Sequence, residues 1–201
     1  MNFSAEQKDC LQELINVAMG LASDKLARFL GTFVHLQVPA IEFIQSCDIA
    51  EHFDQHVCSS EQAMISQGFL GNDGIRGEAI LLYQLESAHT LASLFDYEQG
   101  TSSDLEMLMD ISTILNSTFL NSLASQMMLQ LTYSAPKTVA TNGAGVKEAF
   151  VFSLQNAQLA LKVDIRYQLT DYAFDCDMLL LIPGDAVVPL QRILSCILEQ
   201  Y

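Results

Sequence analysis

An internal repeat with an offset of 97 residues is the feature that most constrains this 201-residue chain. Shifting the sequence by that offset aligns apolar positions and prolines of the two halves: Leu11 with Leu108, Leu14 with Ile111, Ala18 with Leu115, Leu26 with Leu123, and Pro39 with Pro136. Self-similarity at a fixed offset indicates that one supersecondary unit is used twice. The sequence therefore predicts a single domain over residues 1–201, an internal duplication with pseudo-symmetric halves at about 1–98 and 99–201.

Two long helices are predicted, one near the start of each half. Ser4 followed by Gln7 is a capping-box pattern, and Gly31 stands where a left-handed C-cap residue belongs, so the first helix spans about residues 4–30. Ser103 with Glu106 repeats the pattern and predicts a second helix that continues to about residue 128. On a helical wheel the core face of the first helix consists of Leu11, Leu14, Ile15, Ala18, Ala22, Leu26 and Phe29.

Segments rich in valine, isoleucine and phenylalanine predict a mostly antiparallel sheet for these helices to pack on. Residues 32–44 indicate an edge strand or two short strands separated at Pro39, and residues 64–83 indicate a hairpin that turns at Asn72, Asp73 and Gly74. Further strands are predicted at 131–139, 149–154, 159–169 and 174–182, the last three as an antiparallel meander, and shorter helices at 86–97 and 185–198. The predicted fold class is α+β.

The charge of the chain excludes two classes of partner. Nine lysines and arginines against 24 aspartates and glutamates give a formal net charge of -15. Such a chain repels the phosphate groups that nucleic-acid-binding proteins must neutralise, and it repels anionic membranes in the same way. Charge of this size steers association, so the expected partner is a protein with a basic docking surface.

Cysteine content and the amino-terminal sequence predict a cytoplasmic protein. Five cysteines without a CxxC pair indicate reduced thiols, most of them in the core: Cys10, Cys47, Cys58, Cys176 and Cys196. No basic run is followed by an apolar segment near the start, and no stretch approaches the ~18 apolar residues of a membrane helix. His52 and His56 have the i, i+4 spacing of metal ligands, but no third ligand is clearly placed beside them. We expect a surface loop or short helix there and no metal site.

The first helix carries a polar stripe on the side opposite its core face. Asp9, Glu13, Asn16 and Gly20 fall within roughly a 60° wedge when residues are placed about 100° apart. A carboxylate, an amide and a glycine grouped in this way are not needed for folding. A plain solvated face is the structural alternative, because most surface helices have one.

The stripe closely resembles a known family, the CheC/CheX/FliY phosphatases of bacterial chemotaxis. The family motif is Asp or Ser, three residues, Glu, two residues, Asn, 22 residues and Pro, and Asp9, Glu13, Asn16 and Pro39 fill every position. In the second half the matching positions are Glu106, Asp110, Thr113 and Pro136, with Ser117 in place of Gly20. Threonine has no planar amide, so the second copy of the site is predicted to be degenerate. Asn116 lies about 80° from this stripe and aligns with Met19.

The resemblance implies a function for these residues. The family acts on the aspartyl phosphate of a response-regulator receiver domain, so Glu13 and Asn16 are the expected catalytic pair, with Asp9 and Gly20 in partner binding. The receiver domain is expected to supply Mg²⁺, and the chain itself to bind no cofactor. A CheD-like deamidase is a further partner in this family, and the chain is expected to be a monomer or a homodimer.

Two alternatives remain within this family. The chain can be a non-catalytic adaptor of the same fold, although an adaptor has no evident use for Asn16. A FliY-like switch component usually carries a further domain, which is not expected in a chain that ends at Tyr201. Gly20 and Ala22 either let a partner surface approach closely or allow tight packing of the first helix against the second. Pro39, with a fixed φ and no N–H, is expected to shape its strand.

Overall fold

A computed structural model describes residues 3–37, 40–45, 62–94, 101–142, 144–145, 148–149, 159–169 and 174–200. Its helices are α1 (Ala5–Leu30), α2 (Leu85–Leu94), α3 (Thr101–Gln126) and α4 (Gly184–Leu198). Its strands are β1 (Val34–Leu36), β2 (Ala40–Gln45), β3 (Gln62–Gly71), β4 (Arg76–Gln84), β5 (Leu131–Tyr133), β6 (Lys137–Ala140), β7 (Leu159–Leu169) and β8 (Asp175–Pro183). None of the helices within these ranges is long and apolar enough to cross a membrane.

The ends of α1 are those that the sequence predicts. The Ser4 hydroxyl accepts the N–H of Gln7 at 3.1 Å, and the Gln7 side chain accepts the N–H of Ser4 at 3.0 Å, which completes a capping box. Gly31 ends the helix with φ 64°, a left-handed conformation that glycine adopts without steric cost, and it donates to the carbonyl of Ala27. Both termini of the helix that carries the polar stripe are therefore fixed by local hydrogen bonds.

The sheet is antiparallel throughout the described residues, with the strand order β1-β7-β8-β4-β3-β5. β2 also pairs with β7, and β6 also pairs with β3. Each strand of the first half has a counterpart in the second: β1 and β5, β2 and β6, β3 and β7, β4 and β8. Exchanging the members of each pair gives the same strand order read from the opposite edge of the sheet. The predicted α+β fold with a mostly antiparallel sheet is confirmed, and the topology has the symmetry that the repeat predicts. Duplication of the chain stays a prediction.

The main core lies between the helices and one face of the sheet. α1 packs against α3, α4 and β1, and its buried face includes Ile15, Ala18 and Leu26, each with no exposed surface. The Gln126 side chain at the end of α3 donates to the carbonyl of Leu14 in the first half of α1, at 3.0 Å, which is the contact that an antiparallel helix pair gives. α1 therefore faces the protein on one side and solvent on the other.

Several predictions about single residues were wrong. α3 begins at Thr101, so Ser103 lies inside the helix and is not its N-cap. Phe29 was placed on the core face but is exposed, because a helical wheel does not show where neighbouring elements end. Among the described cysteines, Cys176 is buried, Cys10 is half-buried and Cys196 is exposed, and all three are unpaired as expected. Cys47 and Cys58 lie outside the described residues, so the prediction that most cysteines lie in the core stays a prediction.

Some predicted features lie outside the described residues. These are Pro39, the polar stretch with His52, Asp54, His56 and Cys58, and residues 150–154 of the predicted strand at 149–154. The hairpin prediction is confirmed, since β3 and β4 are joined by a turn in which Gly74 has φ 81°. The edge prediction for residues 32–44 is also confirmed, because β1 and β2 both lie at the end of the sheet beside β7.

Candidate functional site

The polar stripe of α1 is a surface feature. Asp9, Glu13, Asn16 and Gly20 are all exposed, whereas Ile15, next to Asn16 in the chain, has no exposed surface. Because side chains three and four residues apart lie on the same side of a helix, Glu13 and Asn16 project together toward solvent. The prediction that both side chains reach solvent is confirmed, and their chemical roles stay a prediction.

The Glu13 and Asn16 side chains are free to meet a partner. Within the described part of the chain neither makes a hydrogen bond or an ion pair with another residue. A primary amide offers two donors and two acceptor lone pairs, so the Asn16 side chain retains the capacity to hold a water molecule on one side and a second group on the other.

The backbone beneath this pair is held by contacts with two other helices. The Gln7 side chain donates to the Gln191 carbonyl at 3.2 Å and to the Ser195 hydroxyl at 3.0 Å, and both acceptors lie on α4. Gln126 on α3 donates to the carbonyl of Leu14, the residue that follows Glu13. A helix held in this way presents its exposed side chains from a fixed backbone, which lowers the entropic cost of a defined geometry.

Gly20 leaves open space beside the pair. A Cβ atom built on this residue meets no atom within 4 Å. The packing alternative is therefore wrong for Gly20, whereas Ala22 is fully buried in the core. The missing side chain instead creates a shallow notch one turn beyond Asn16, on the exposed side of α1.

The corresponding stripe of α3 does not reproduce the site. Glu106, Asp110 and Thr113 are exposed, and the Thr113 hydroxyl donates to the Met109 carbonyl at 2.8 Å. Pro136 is half-buried in the segment between β5 and β6. The second copy thus has a carboxylate at the position that corresponds to Glu13 but no amide that corresponds to Asn16.

Asn116 does not replace the missing amide. Its side chain has no exposed surface, and neither its Oδ1 nor its Nδ2 has a hydrogen-bond partner within the described residues. The wheel argument that placed Asn116 away from the stripe is confirmed by this burial. A single exposed asparagine, Asn16, is therefore available on the two stripes.

Sequence reasoning missed the anchors of α1 and an apolar row beside the stripe. The sequence indicates Gln7 only as a capping residue and indicates no role for Gln126. The residues to which their side chains donate, Gln191 and Leu14, lie more than 100 positions away in the sequence. Val17 and Leu21 are exposed next to the stripe. The apolar row could have been found from the sequence, because Val17 and Leu21 stand next to the polar stripe on the helical wheel.

A groove elsewhere on the molecule has no connection with the stripe. Its volume is about 530 Å³, and it is lined by β3, β4, β5 and β8, among them Phe69, Arg76, Glu78 and Tyr133. Arg76 pairs with Asp185, and this hydrogen bond holds the pKa of the Asp185 carboxyl below its ordinary value. None of the described residues that line this groove belongs to α1 or α3, so the exposed polar stripe lies outside it.

Metal-binding side chains are not clustered near the stripe. The described residues contain no group of three or more histidine, cysteine, aspartate or glutamate side chains that would hold a metal ion. Asp9 and Glu13 lie one turn apart on one helix, which gives at most two carboxylates.

Comparison with known proteins identifies the fold. No protein-family model matches the sequence, and no curated protein matches it. The structure of FliY from Thermotoga maritima matches with a TM-score of 0.73 and 18% identity, over 97% of this chain and 98% of that chain. The FliM–SpeE complex from H. pylori gives a TM-score of 0.64 and 12% identity over 97% of each chain. CheX from Vibrio vulnificus gives 0.55 and 10% identity, over 85% of this chain and 96% of that chain.

The chain therefore has the α+β fold of the CheC/CheX/FliY proteins, as the motif resemblance predicted. At these identities the likeness is one of fold, and the same fold is found in FliM. Fold alone does not separate a phosphatase from a switch component. Glu13, Asn16 and their surroundings are the features of this chain that bear on that distinction.

Proposed function

We propose that this chain is a phosphatase that hydrolyses the aspartyl phosphate on the receiver domain of a response regulator. One observation carries the proposal: Glu13 and Asn16 stand exposed and without partners in the described structure, at the family spacing, on a helix whose opposite face is buried. The site acts by docking, so it requires neither a pocket nor a nucleophile in this chain.

The chemistry requires a water molecule aligned with the phosphorus–oxygen bond that breaks. Phosphoryl transfer is catalysed mainly by positioning and by stabilisation of charge on the phosphoryl oxygens. The receiver domain supplies the second contribution through its own Mg²⁺ and a basic side chain, so the phosphatase must supply the first. The Asn16 amide oxygen accepts a hydrogen bond from the attacking water and fixes the orientation of that water, while the amide itself stays neutral.

Glu13 has a separate role in this proposal. Its carboxylate lies one turn before Asn16 and pairs with the basic side chain beside the receiver's phosphate. A charge-assisted hydrogen bond of this kind is shorter and stronger than a neutral one, so it both holds the partner and fixes its distance from Asn16. Asp9 and Gly20 border the contact at the two ends of the stripe.

One active site per chain follows from the second stripe. Thr113 has no amide, and its hydroxyl is already bonded to the Met109 carbonyl. Asp110 is one methylene shorter than Glu13. Glu106, Asp110, Thr113 and Pro136 therefore mark a degenerate second site in this proposal.

Rates of phosphate loss test the proposal. A set of receiver domains labelled with phosphate at their aspartate is mixed with wild-type chain, Asn16→Ala or Glu13→Ala. Wild type accelerates phosphate loss from at least one receiver, Asn16→Ala slows that reaction by about 100-fold because the water loses its orientation, and Glu13→Ala lowers both rate and affinity. Alanine at these exposed helical positions leaves the fold intact, which circular dichroism verifies.

The adaptor alternative gives a different result. An adaptor binds a receiver domain or a deamidase without accelerating phosphate loss. In that case Asn16→Ala leaves the rate of phosphate loss from the receiver unchanged. Binding of wild type without acceleration of any receiver would replace the phosphatase proposal by the adaptor. Full activity of Asn16→Ala would remove the assignment of the site to α1.

A further inference from the structure

Large exposed apolar side chains are concentrated around α1. Of the nine that the described residues contain, five lie between residues 17 and 36: Val17, Leu21, Phe29, Phe33 and Leu36. Scattered single apolar residues on a surface need no explanation, but a concentration in one part of the surface marks an interaction site. Two of the five, Val17 and Leu21, are neighbours of Asn16 on α1.

Three of these residues belong to one ridge of the helix. Val17, Leu21, Lys25 and Phe29 are spaced four residues apart, so they form a continuous row on the helix surface, and all four are exposed. Asn16, Gly20, Asp24 and Arg28 form the adjacent row, also exposed throughout. The apolar ridge, meaning Val17, Leu21, Lys25 and Phe29, therefore runs alongside the row that contains Asn16.

On the side of Asn16 away from the apolar ridge, the helix surface is covered by the rest of the protein. Met19 and Ser23, three and seven residues after Asn16, are buried by the remainder of the protein. A stable protein interface covers about 800 Å² on each partner, which is far more than the four residues of the stripe provide. A partner that places its phosphate at Asn16 must therefore cover neighbouring surface, and the apolar ridge is the side of the stripe that is open to it.

The ridge is not a general requirement of the fold. The positions 97 residues after Val17, Leu21, Lys25 and Phe29 are Ile114, Thr118, Ser122 and Gln126, all half-buried and three of them polar. α3 thus has neither an amide at the position that corresponds to Asn16 nor the exposed apolar row. The two features occur together on α1, as a combined docking and catalytic surface requires.

We propose that the apolar ridge is the docking surface for the receiver domain, and that it sets affinity while Asn16 sets the rate. This inference rests on the proposed function. The matching partner surface is apolar beside a basic patch, because Glu13 stands at the start of the ridge and the chain as a whole carries a charge of -15. Leu21, at the centre of the ridge and 50% exposed, is the residue expected to contribute most.

A matched pair of leucine variants tests this inference. Leu21→Ser removes the central apolar contact, and Leu70→Ser is the control, because Leu70 is 55% exposed but lies on β3, away from α1. KM and kcat are measured for dephosphorylation of a CheY-type receiver domain. Leu21→Ser raises KM about tenfold and leaves kcat within about twofold, since it weakens docking without moving Asn16. Leu70→Ser changes neither constant.

The outcomes separate this inference from the proposed function. Equal KM values for Leu21→Ser and Leu70→Ser overturn the ridge as a docking surface, even where Asn16→Ala has lost its activity as expected. A chain that binds the receiver without accelerating phosphate loss overturns the phosphatase, and the ridge is then tested by the dissociation constants of the same two variants. Absence of binding to every receiver overturns both.

Discussion

At the scale of single residues, two asparagines on the two long helices have opposite surroundings. The Asn16 side chain is exposed on α1, whereas the Asn116 side chain is fully buried on α3 with both polar atoms unpaired within the described structure. Because it is fully buried, the Asn116 amide is unavailable to a partner. Of Asn16 and Asn116, only Asn16 combines the chemistry of an amide with access to another molecule.

At Gly20 a single substitution is expected to raise the stability of the fold and to weaken the binding of the receiver domain. Gly20→Ala should raise the free energy of unfolding by about 1 kcal/mol, because alanine is the better helix former and its methyl group meets no atom within 4 Å. The same methyl group fills the notch beside Asn16 and should weaken receiver binding. Urea denaturation and a binding titration measure the two effects. A stabilised variant with unchanged affinity would show that Gly20 is not part of the partner contact.

At the scale of secondary-structure elements, α3 is joined to the sheet by a buried hydroxyl pair. Tyr83 on β4 lies 2.8 Å from the Ser112 hydroxyl, which itself donates to the Leu108 carbonyl at 2.7 Å, so the phenol is the donor of the pair. Burial raises the pKa of Tyr83 well above its ordinary value and keeps the phenol protonated. The Phe174 ring packs beside it, with a distance of 5.9 Å between ring centroids.

Ser112→Ala tests this attachment. The substitution removes one hydrogen-bond partner of the buried Tyr83 hydroxyl, which keeps its contact with the Cys176 thiol, so the free energy of unfolding should fall by about 1 kcal/mol. Thr113→Ala, at the adjacent but exposed position, should change it by less than about 0.5 kcal/mol. Combining Ser112→Ala with Tyr83→Phe should recover most of the loss, since both polar groups are then absent. Equal stability of Ser112→Ala and Thr113→Ala in urea would contradict this account of the helix attachment.

Local sequence patterns predicted the long helices and both ends of α1, but not the start of α3 or the contacts between distant residues. The Ser4–Gln7 box and Gly31 defined α1 correctly, because capping is decided by residues within one turn. The run Thr101, Ser102 and Ser103 contains three residues suited to an N-cap, so the sequence did not distinguish the start of α3 from an internal position. The exposure of Phe29 and the anchoring by Gln126 depend on distant parts of the chain, which local patterns do not contain.

At the scale of the whole molecule, the two halves are interleaved. β1 and β2 of the first half pair with β7 of the second, and β5 and β6 of the second pair with β3 of the first. The pairing of β4 with β8 joins the halves at the centre of the sheet. The repeat therefore predicted the symmetry of the order of elements, but the exchange of edge strands became visible only in the structure.

Separate expression of the halves tests this interleaving. Residues 1–98 alone retain the β3–β4 hairpin but lose the strands that flank it, and an isolated hairpin is marginally stable in water. Each fragment should be largely unfolded by circular dichroism and amide hydrogen exchange, and mixing 1–98 with 99–201 should restore protected amides in β3, β4, β7 and β8. A fragment that folds cooperatively alone would contradict the interdependence of the halves.

A comparison of two matched positions tests whether the site lies on α1 and depends on the Asn16 amide. Asn16→Ala and Thr113→Ala change the stripe residues 97 positions apart on α1 and α3. Each variant is mixed in excess with a phosphorylated receiver domain, and the single-turnover rate of phosphate loss is measured after binding has been shown to be saturated. The account predicts a loss of about 100-fold for Asn16→Ala and a rate within about twofold of wild type for Thr113→Ala. A fully active Asn16→Ala variant, or a greater loss for Thr113→Ala, would contradict it.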